Sequence, residues 1–466
     1  MSPDSGVRSL KPRVAVIGGG LGGLVAADRL LDAGLSVTIF EKYPDAGGLV
    51  GCMTVGGTPL ERFYHHLFTS DVDYVDFARE LGLADDIQWL PSKMGFFAKG
   101  KQWDFGTPGS LLKFSPLGIT GRLQFVISTL RLRQNPDWRP LEGETAASWM
   151  TKNGYKKAFD VVWGPLLKQK YGKRWADVGL VWLWGKIALR TRSRDKSGLG
   201  ECVGYLKGSF GRGVQAILAR VKEKGGDVRT ARPVRLVTSD MGGFRIEVAG
   251  GGDTFDLVVS TVAIPELLRI CPDLPHETKK RWRQIQYCHA LCPVLELDRQ
   301  FMKYYWLNVG DETLPFGGLI EQTNLIPPSE YGGRHVLYIS NYVLPDDPKW
   351  STRDDELWKS YLPALQKINP DFDPSWIVSK TINRGEYAQP IVGTDYSKLL
   401  PELRTDLPGL YTAAMAQIYP EDRGQNYAIK LGRQVAAALL EDMGNAAASR
   451  QAPSTNLSDI FPAMSG

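Results

Sequence analysis

Residues 13–41 read Arg13-Val-Ala-Val-Ile-Gly-Gly-Gly-Leu-Gly-Gly-Leu-Val-Ala-Ala-Asp-Arg-Leu-Leu-Asp-Ala-Gly-Leu-Ser-Val-Thr-Ile-Phe-Glu41. Val14 to Ile17 form a short apolar run, and Gly18, Gly20 and Gly23 follow in G-x-G-x-x-G spacing around Leu21 and Gly22. An apolar helical pattern through Leu24, Ala27, Leu30 and Leu31 continues to Gly34. A second run, Val37 to Phe40, closes on Glu41. The order is strand, tight turn, helix, strand, acid, which is the layout of a Rossmann-like nucleotide-binding unit.

Each part has a physical task. Gly18 permits the sharp turn, Gly20 lets backbone approach a pyrophosphate, and Gly23 lets the helix pack close on the strand. The free N–H groups at the start of that helix then face the phosphates. Glu41, eighteen residues beyond Gly23, is placed to accept from a ribose hydroxyl. An acid there favours an unphosphorylated ribose, so the ligand is NAD-like or FAD-like rather than NADP. The glycine motif alone recurs by chance in a chain with 50 glycines; the flanking elements give it meaning here.

A chain of 466 residues can bury a large core and is expected to hold two domains, and its net charge of +5 is too mild to argue for nucleic acid. Charge is concentrated between Lys168 and Lys196, where nine basic residues face only Asp177 and Asp195. That stretch reads either as a solvated basic face or as a site for an anionic substrate or an acidic membrane surface. Five cysteines without CxxC spacing are expected to be reduced, with Cys288 and Cys292 as core thiols rather than metal ligands, and no metal site is expected. The chain begins without a signal-peptide pattern and contains no spanning apolar run, so a cytoplasmic protein is expected.

Beyond Glu41 and Lys42 comes Tyr-Pro-Asp-Ala-Gly47-Gly48-Leu. With this pair the chain resembles the FAD superfamily of amine oxidases, protoporphyrinogen oxidases, phytoene desaturases and UDP-galactopyranose mutases. The resemblance implies FAD as cofactor and an α/β fold of the two-dinucleotide-binding flavoprotein type with an inserted α+β substrate domain. It places the FAD-binding domain at 1–70, 204–275 and 385–444 and the substrate domain at 71–203 and 276–384. It also implies backbone at Gly47 and Gly48 near the ribityl and pyrophosphate, and at Val234 near the adenine. The arginine usual beside the Gly-Gly pair is absent, Ala46 and Leu49 standing there, so the second phosphate clamp is unassigned.

His65 and His66, in Leu60-Glu-Arg-Phe-Tyr-His-His-Leu, resemble a histidine loop of the mutases that lies against the flavin. Neighbours on a strand point to opposite faces, so one is expected to face the flavin and the other the core. Between Trp89 and Arg194 aromatic and basic residues replace the earlier alternation, and a largely helical region is expected. Trp163, Trp182 and Trp184 there fit either core or pocket. The stretch from Leu291 to Tyr342 alternates as a half-buried sheet able to roof a flavin.

The last cofactor segment runs from Pro408 through Met415, Tyr419, Asp422 and Asn426, with a helix expected from about Asn426 to Asp442 whose N-terminus faces the flavin. Met415 stands near the place of the family's Gly-Asp, and Asp422 is assigned to the ribityl chain. The tail at 445–466 is expected to be disordered. Candidate proton-handling groups are His65, His66, Tyr342, Tyr387 and Tyr419, with Arg384-Gly-Glu-Tyr-Ala-Gln-Pro390 read as a loop.

The activity expected from the resemblance is FAD-dependent oxidoreduction, with hydride passing from an organic substrate to flavin N5. The alternative is a non-redox isomerase of the mutase type acting on a nucleotide-linked sugar. The partner is a small molecule, anionic or lipid-linked, with contact to a membrane surface left open.

Overall fold

The computed structural model describes residues 11–192, 201–240 and 242–451. Its first layer is a five-stranded parallel sheet in the order Asp227–Arg229, Ser36–Phe40, Arg13–Ile17, Leu257–Ser260, Leu410–Thr412. The chain visits this sheet three times, and the central strand is the one the glycine turn follows. Val14, Ala15 and Val16 are fully buried, as a strand covered on both faces requires.

Two helices meet on the first helix, Leu21–Asp32. The last helix, Gln425–Gln451, crosses so closely that a Cβ on Gly432 would stand 2.4 Å from the Gly22 carbonyl oxygen. The helix Gly211–Glu223 supplies Arg220 and, at its C-cap, Lys224, which both bind the buried Asp28 carboxylate and so leave that charge paired.

The second layer is a seven-stranded sheet in the order Ile377–Pro390, Tyr287–Leu297, His335–Val343, Gly318–Glu321, Trp306–Val309, Met94–Ala98, Lys101–Asp104. All pairs are antiparallel except Trp306–Val309 with Met94–Ala98. One face packs on the helix Asp354–Ile368 around Leu357, Trp358 and Leu365. From the other face Ser340 and Tyr342, and Trp306 and Asn308, point into a cavity at the period of two that strands impose.

The structure corrects the sequence reading at three places. The segment 384–390 is strand, not loop, and forms the end of Ile377–Pro390. A glycine, a register shift near Cys288 and a left-handed Tyr387 (φ 50°) bend the long strand between the two layers, and such residues read as a loop when pairing is not visible. The region 89–194 is helical but also contributes Met94–Ala98 and Lys101–Asp104 to the sheet. The last helix continues to Gln451, where an alanine-rich sequence favours helix, so the tail is not disordered from 445; residues 452–466 lie outside those described.

Candidate functional site

A cavity of about 910 Å³ lies between the two layers and is bordered by all three cofactor segments. Gly18, Gly20, Leu21 and Gly22 form one wall, with Glu41, Lys42, Gly47, Gly48, Val234 and Met415 around them. The turn tolerates nothing larger than glycine at two points. A Cβ on Gly23 would lie 2.0 Å from the Gly18 carbonyl oxygen, and one on Gly18 (φ 107°) would lie 2.6 Å from Thr261 Oγ1. Gly23 therefore shapes the turn from behind and does not border the cavity. Gly47 (φ 123°) donates its N–H to the Gly19 carbonyl at 2.8 Å, which brings the Gly-Gly pair against the turn.

Glu41 is buried, and its carboxylate accepts from the Gly19 N–H at 2.7 Å and the Tyr43 N–H at 2.9 Å. Lys42 pairs with Glu386 at 2.6 Å. Arg62 borders the cavity beside Gly51 and holds Asp45 at 2.7 Å. It is a cation next to the Gly-Gly pair, supplied from a different position than the arginine sought beside Gly47. Gln425, the first residue of the last helix, is only 6 % exposed and borders the cavity, yet neither of its amide atoms has a hydrogen-bond partner among the described residues. A buried amide left unpaired is costly, so this side chain is a candidate to meet a ligand or water in the cavity.

The deeper wall holds a buried group of charges. Asp422 pairs with Lys186, and burial raises its pKa while Lys186, Lys170 and Arg423 pull it down further, so it stays ionised. Arg423 donates to Gln389 Oε1 at 2.9 Å and to the Tyr342 hydroxyl. Lys170 Nζ stands over the rings of Trp182 and Tyr342, 5.3 Å from each centroid, and 5.5 Å from that of Tyr171. Burial, with Lys186 adding repulsion, lowers its pKa well below the ordinary lysine value. Trp182 is 8 % exposed and its Nε1–H has no partner among the described residues.

His65 and His66 both border the cavity. His65 Nδ1 lies 2.6 Å from the Phe63 carbonyl, which can only accept, so Nδ1 carries the proton. Burial lowers its pKa to about 4. His66 Nδ1 meets the Tyr305 hydroxyl at 3.2 Å, and its ring packs edge-on against Phe68 and Trp306. Tyr342 and Tyr387 border the cavity as well.

Three predicted residues have other tasks. Tyr419 does not border the cavity; its hydroxyl donates to Glu142 at 2.8 Å beneath Trp138. Asn426 turns away and its Oδ1 accepts from the Tyr74 N–H at 3.0 Å, capping the helix Val72–Glu80 from across the chain. Asp422 does border the cavity, but its carboxylate is taken by Lys186. Arg62, Lys170, Arg423 and Gln425 were not singled out by the sequence. The one sequence signal they share is a charged or amide residue inside an otherwise glycine- or aromatic-rich segment.

In the basic stretch, Lys168, Lys173 and Arg174 form surface pairs with Glu312, Asp346 and Asp177, while among the described residues Lys170 and Lys186 turn to the cavity. Trp163 and Trp182 border it too, whereas Trp184 donates to the Asn135 carbonyl at 2.9 Å.

A parallel sheet, a glycine turn with an acid on the next strand, and a second sheet over one shared cavity define a nucleotide-cofactor protein of the α/β class. The chain belongs to the flavin-containing amine oxidoreductase family, whose model matches residues 21–440. Among solved structures it is similar to one from Exiguobacterium sp. 255-15 assigned as a protoporphyrinogen oxidase (16% identity, TM-score 0.72, covering 92% of this chain and 99% of that one). It is also similar to a reduced UDP-galactopyranose mutase (16% identity, TM-score 0.70, covering 92% and 96%). Among curated proteins it is 32% identical over 117 residues to the phytoene dehydrogenase of Streptomyces griseus, covering 24% of this chain and 23% of that protein. The chain thus spans less than a quarter of the length of the curated relatives it matches.

The residues present fit a flavin. Gly18, Gly20, Gly22, Gly47 and Gly48 leave that wall of the cavity as bare backbone, and the Gln425 amide, without a partner among the described residues, stands at the helix N-terminus on the same cavity.

Proposed function

We propose that the protein is an FAD-dependent oxidoreductase that takes hydride from an apolar, lipid-like substrate carrying one polar group. The observation that carries this reading is the continuity of a single cavity from the glycine turn, past Lys170 and Trp182, to a wall of Leu111, Phe125, Val126 and Leu130. Gly18, Gly20, Gly22 and Glu41 would hold the adenosine side of FAD. Arg62, Gly47 and Gly48 would hold the pyrophosphate and ribityl chain, and Met415 and Gln425 the ring. When bound, FAD supplies the hydride acceptor.

The chain's own groups then manage orientation and one proton. Lys170, driven toward the neutral amine by burial and by the repulsion of Lys186, can accept the proton that the donor releases. Trp182 Nε1–H, a donor without a partner, would orient an oxygen or nitrogen of the substrate beside it. The charges of Lys186, Asp422 and Arg423 sum to one positive charge, which favours negative charge accumulating at this end of the cavity. The isomerase alternative is less well supported, because the wall beyond Lys170 is apolar where a nucleotide sugar needs polar partners.

The test is an anaerobic substrate panel on the FAD-loaded protein. Loss of visible flavin absorbance on adding long-chain alcohols, amines or unsaturated lipids is the expected result. Reduction by NAD(P)H only, followed by rearrangement of a sugar nucleotide without net oxidation, would overturn it.

A further inference from the structure

The helix Gly118–Arg133 is turned inside out. Its outward face carries Ile119, Leu123, Val126, Ile127 and Leu130, spaced four, three, one and three residues apart, which makes one stripe. Ile119 is 85 % exposed and Leu123 is 61 % exposed. The inward face contributes only Gly121, Ser128 and Leu132 to the fully buried residues. Among the described residues, six of the ten large apolar side chains that stand exposed lie between Leu112 and Leu130. Scattered exposed leucines are ordinary; a stripe of this kind marks a contact surface.

Two further observations say what the surface meets. From Phe105 to Pro136 the sequence contains Lys113, Arg122, Arg131 and Arg133 and no acidic residue. In addition, Val126 and Leu130 belong both to the exposed stripe and to the wall of the cavity, with Leu111, Phe125 and Thr129 beside them. The mouth of the cavity therefore opens on the apolar stripe itself. No helix among the described residues is long and apolar enough to cross a membrane, so any membrane contact of this helix is in the plane of the surface.

We infer that residues 108–133 dock the protein on an anionic lipid bilayer, with the stripe seated among the acyl chains, the basic residues at the headgroups, and the cavity opening directly to the bilayer. This places the membrane-facing entrance on a different element from the basic stretch at 168–196. Docking stands on the stripe and its charge; the passage of a lipid substrate through the mouth rests on the oxidoreductase reading.

The experiment is vesicle flotation of the flavin-loaded full chain. Wild type is expected to float with vesicles of phosphatidylcholine and phosphatidylglycerol, less with phosphatidylcholine alone, and less again as salt is raised. The triple variant I119Q/L123Q/I127Q alters residues that do not border the cavity. It is expected to lose on the order of 100-fold or more in vesicle affinity, since each large aliphatic side chain contributes roughly tenfold on burial. Its flavin content and melting temperature should match wild type, because these side chains are already in water. The charge variant K113E/R133E should lose the preference for phosphatidylglycerol and keep its flavin. Absence of wild-type flotation with either vesicle, or equal flotation by the triple variant, would overturn the inference. So would a wild-type dimer, without flotation, that the triple variant converts to monomer. A membrane-bound protein that reduces no flavin with any lipid would sink the substrate reading and leave docking intact.

Discussion

Lys170 and Tyr342 face each other across the cavity wall, with the lysine Nζ 5.3 Å from the centre of the tyrosine ring. Arg423 lies against the same ring, its Cζ 5.5 Å from the centroid, and donates to the hydroxyl. One aromatic side chain thus borders two cations of different character. The guanidinium is permanently charged and hydrogen-bonded, whereas the ammonium has lost water and gained ring faces and the attraction of Asp422, which do not make up the loss.

That arrangement makes Lys170 costly to keep protonated. Its folded pKa is depressed, so the unfolded chain binds more protons up to the ordinary lysine value of 10.5. The Lys170→Met variant should therefore be more stable than wild type at neutral pH, by on the order of 1–3 kcal/mol. The gain should be largest below the folded pKa and vanish as pH approaches 10.5. Urea unfolding across that range checks it, and a gain that does not shrink with rising pH would contradict the assignment.

His65 gives a pH effect in the acid range. Its pKa is lowered to about 4 by burial, against an ordinary value of 6.5. Between those values the unfolded state binds the proton and the folded state does not, so stability falls as pH drops from about 6.5 toward 4. The loss should reach about 3 kcal/mol. His65→Gln, which does not titrate, should flatten that limb when melting temperatures are compared at pH 7 and pH 4.5.

At Gly432 the last helix approaches the backbone of the first. Gly432→Ala places a methyl 2.4 Å from the Gly22 oxygen, so the last helix must move off the first. A cost of about 1–3 kcal/mol is expected. Because Gly22 and Gln425 both border the cavity, flavin content should fall with it, read from the ratio of visible to ultraviolet absorbance.

On the proposed reading, Arg62, which borders the cavity, supplies the clamp that the sequence left unassigned. Arg62→Ala should weaken FAD binding by roughly 10–100-fold, the worth of one charged hydrogen bond. Arg62→Lys should recover only part, since an ammonium lacks the planar fork that matches a phosphate. Fluorescence titration of the apoprotein with FAD measures both.

The fold was legible where its cause is local. Strand, glycine turn, helix and acid follow one another within residues 13–41, and each is dictated by its own residues. The strand Ile377–Pro390 was not legible, because its pairing partner Tyr287–Leu297 lies about ninety residues earlier and its bend uses the residues of a loop. The same distinction separates the site residues. Gly18, Gly20, Gly22 and Glu41 were read from the motif that contains them, and they border the cavity. Lys170 meets Trp182, Tyr342 and Arg423 only through tertiary packing, and its neighbours Lys168 and Lys173 are surface cations of the same type. Tyr419 and Asn426 lie in the correct segment but spend their polar atoms on Glu142 and Tyr74, a choice that sequence position does not reveal.

The most direct measurement is the rate of anaerobic flavin reduction by a lipid donor as a function of pH, in wild type and in Lys170→Met. If Lys170 receives the donor's proton, the wild-type rate should rise with pH through a single ionisation well below 10.5. That rise should be absent in the variant, whose rate should fall by about 10²–10⁴-fold while the flavin remains bound. Equal rates and superimposable pH profiles would contradict the account and return Lys170 to the packing of the cavity wall.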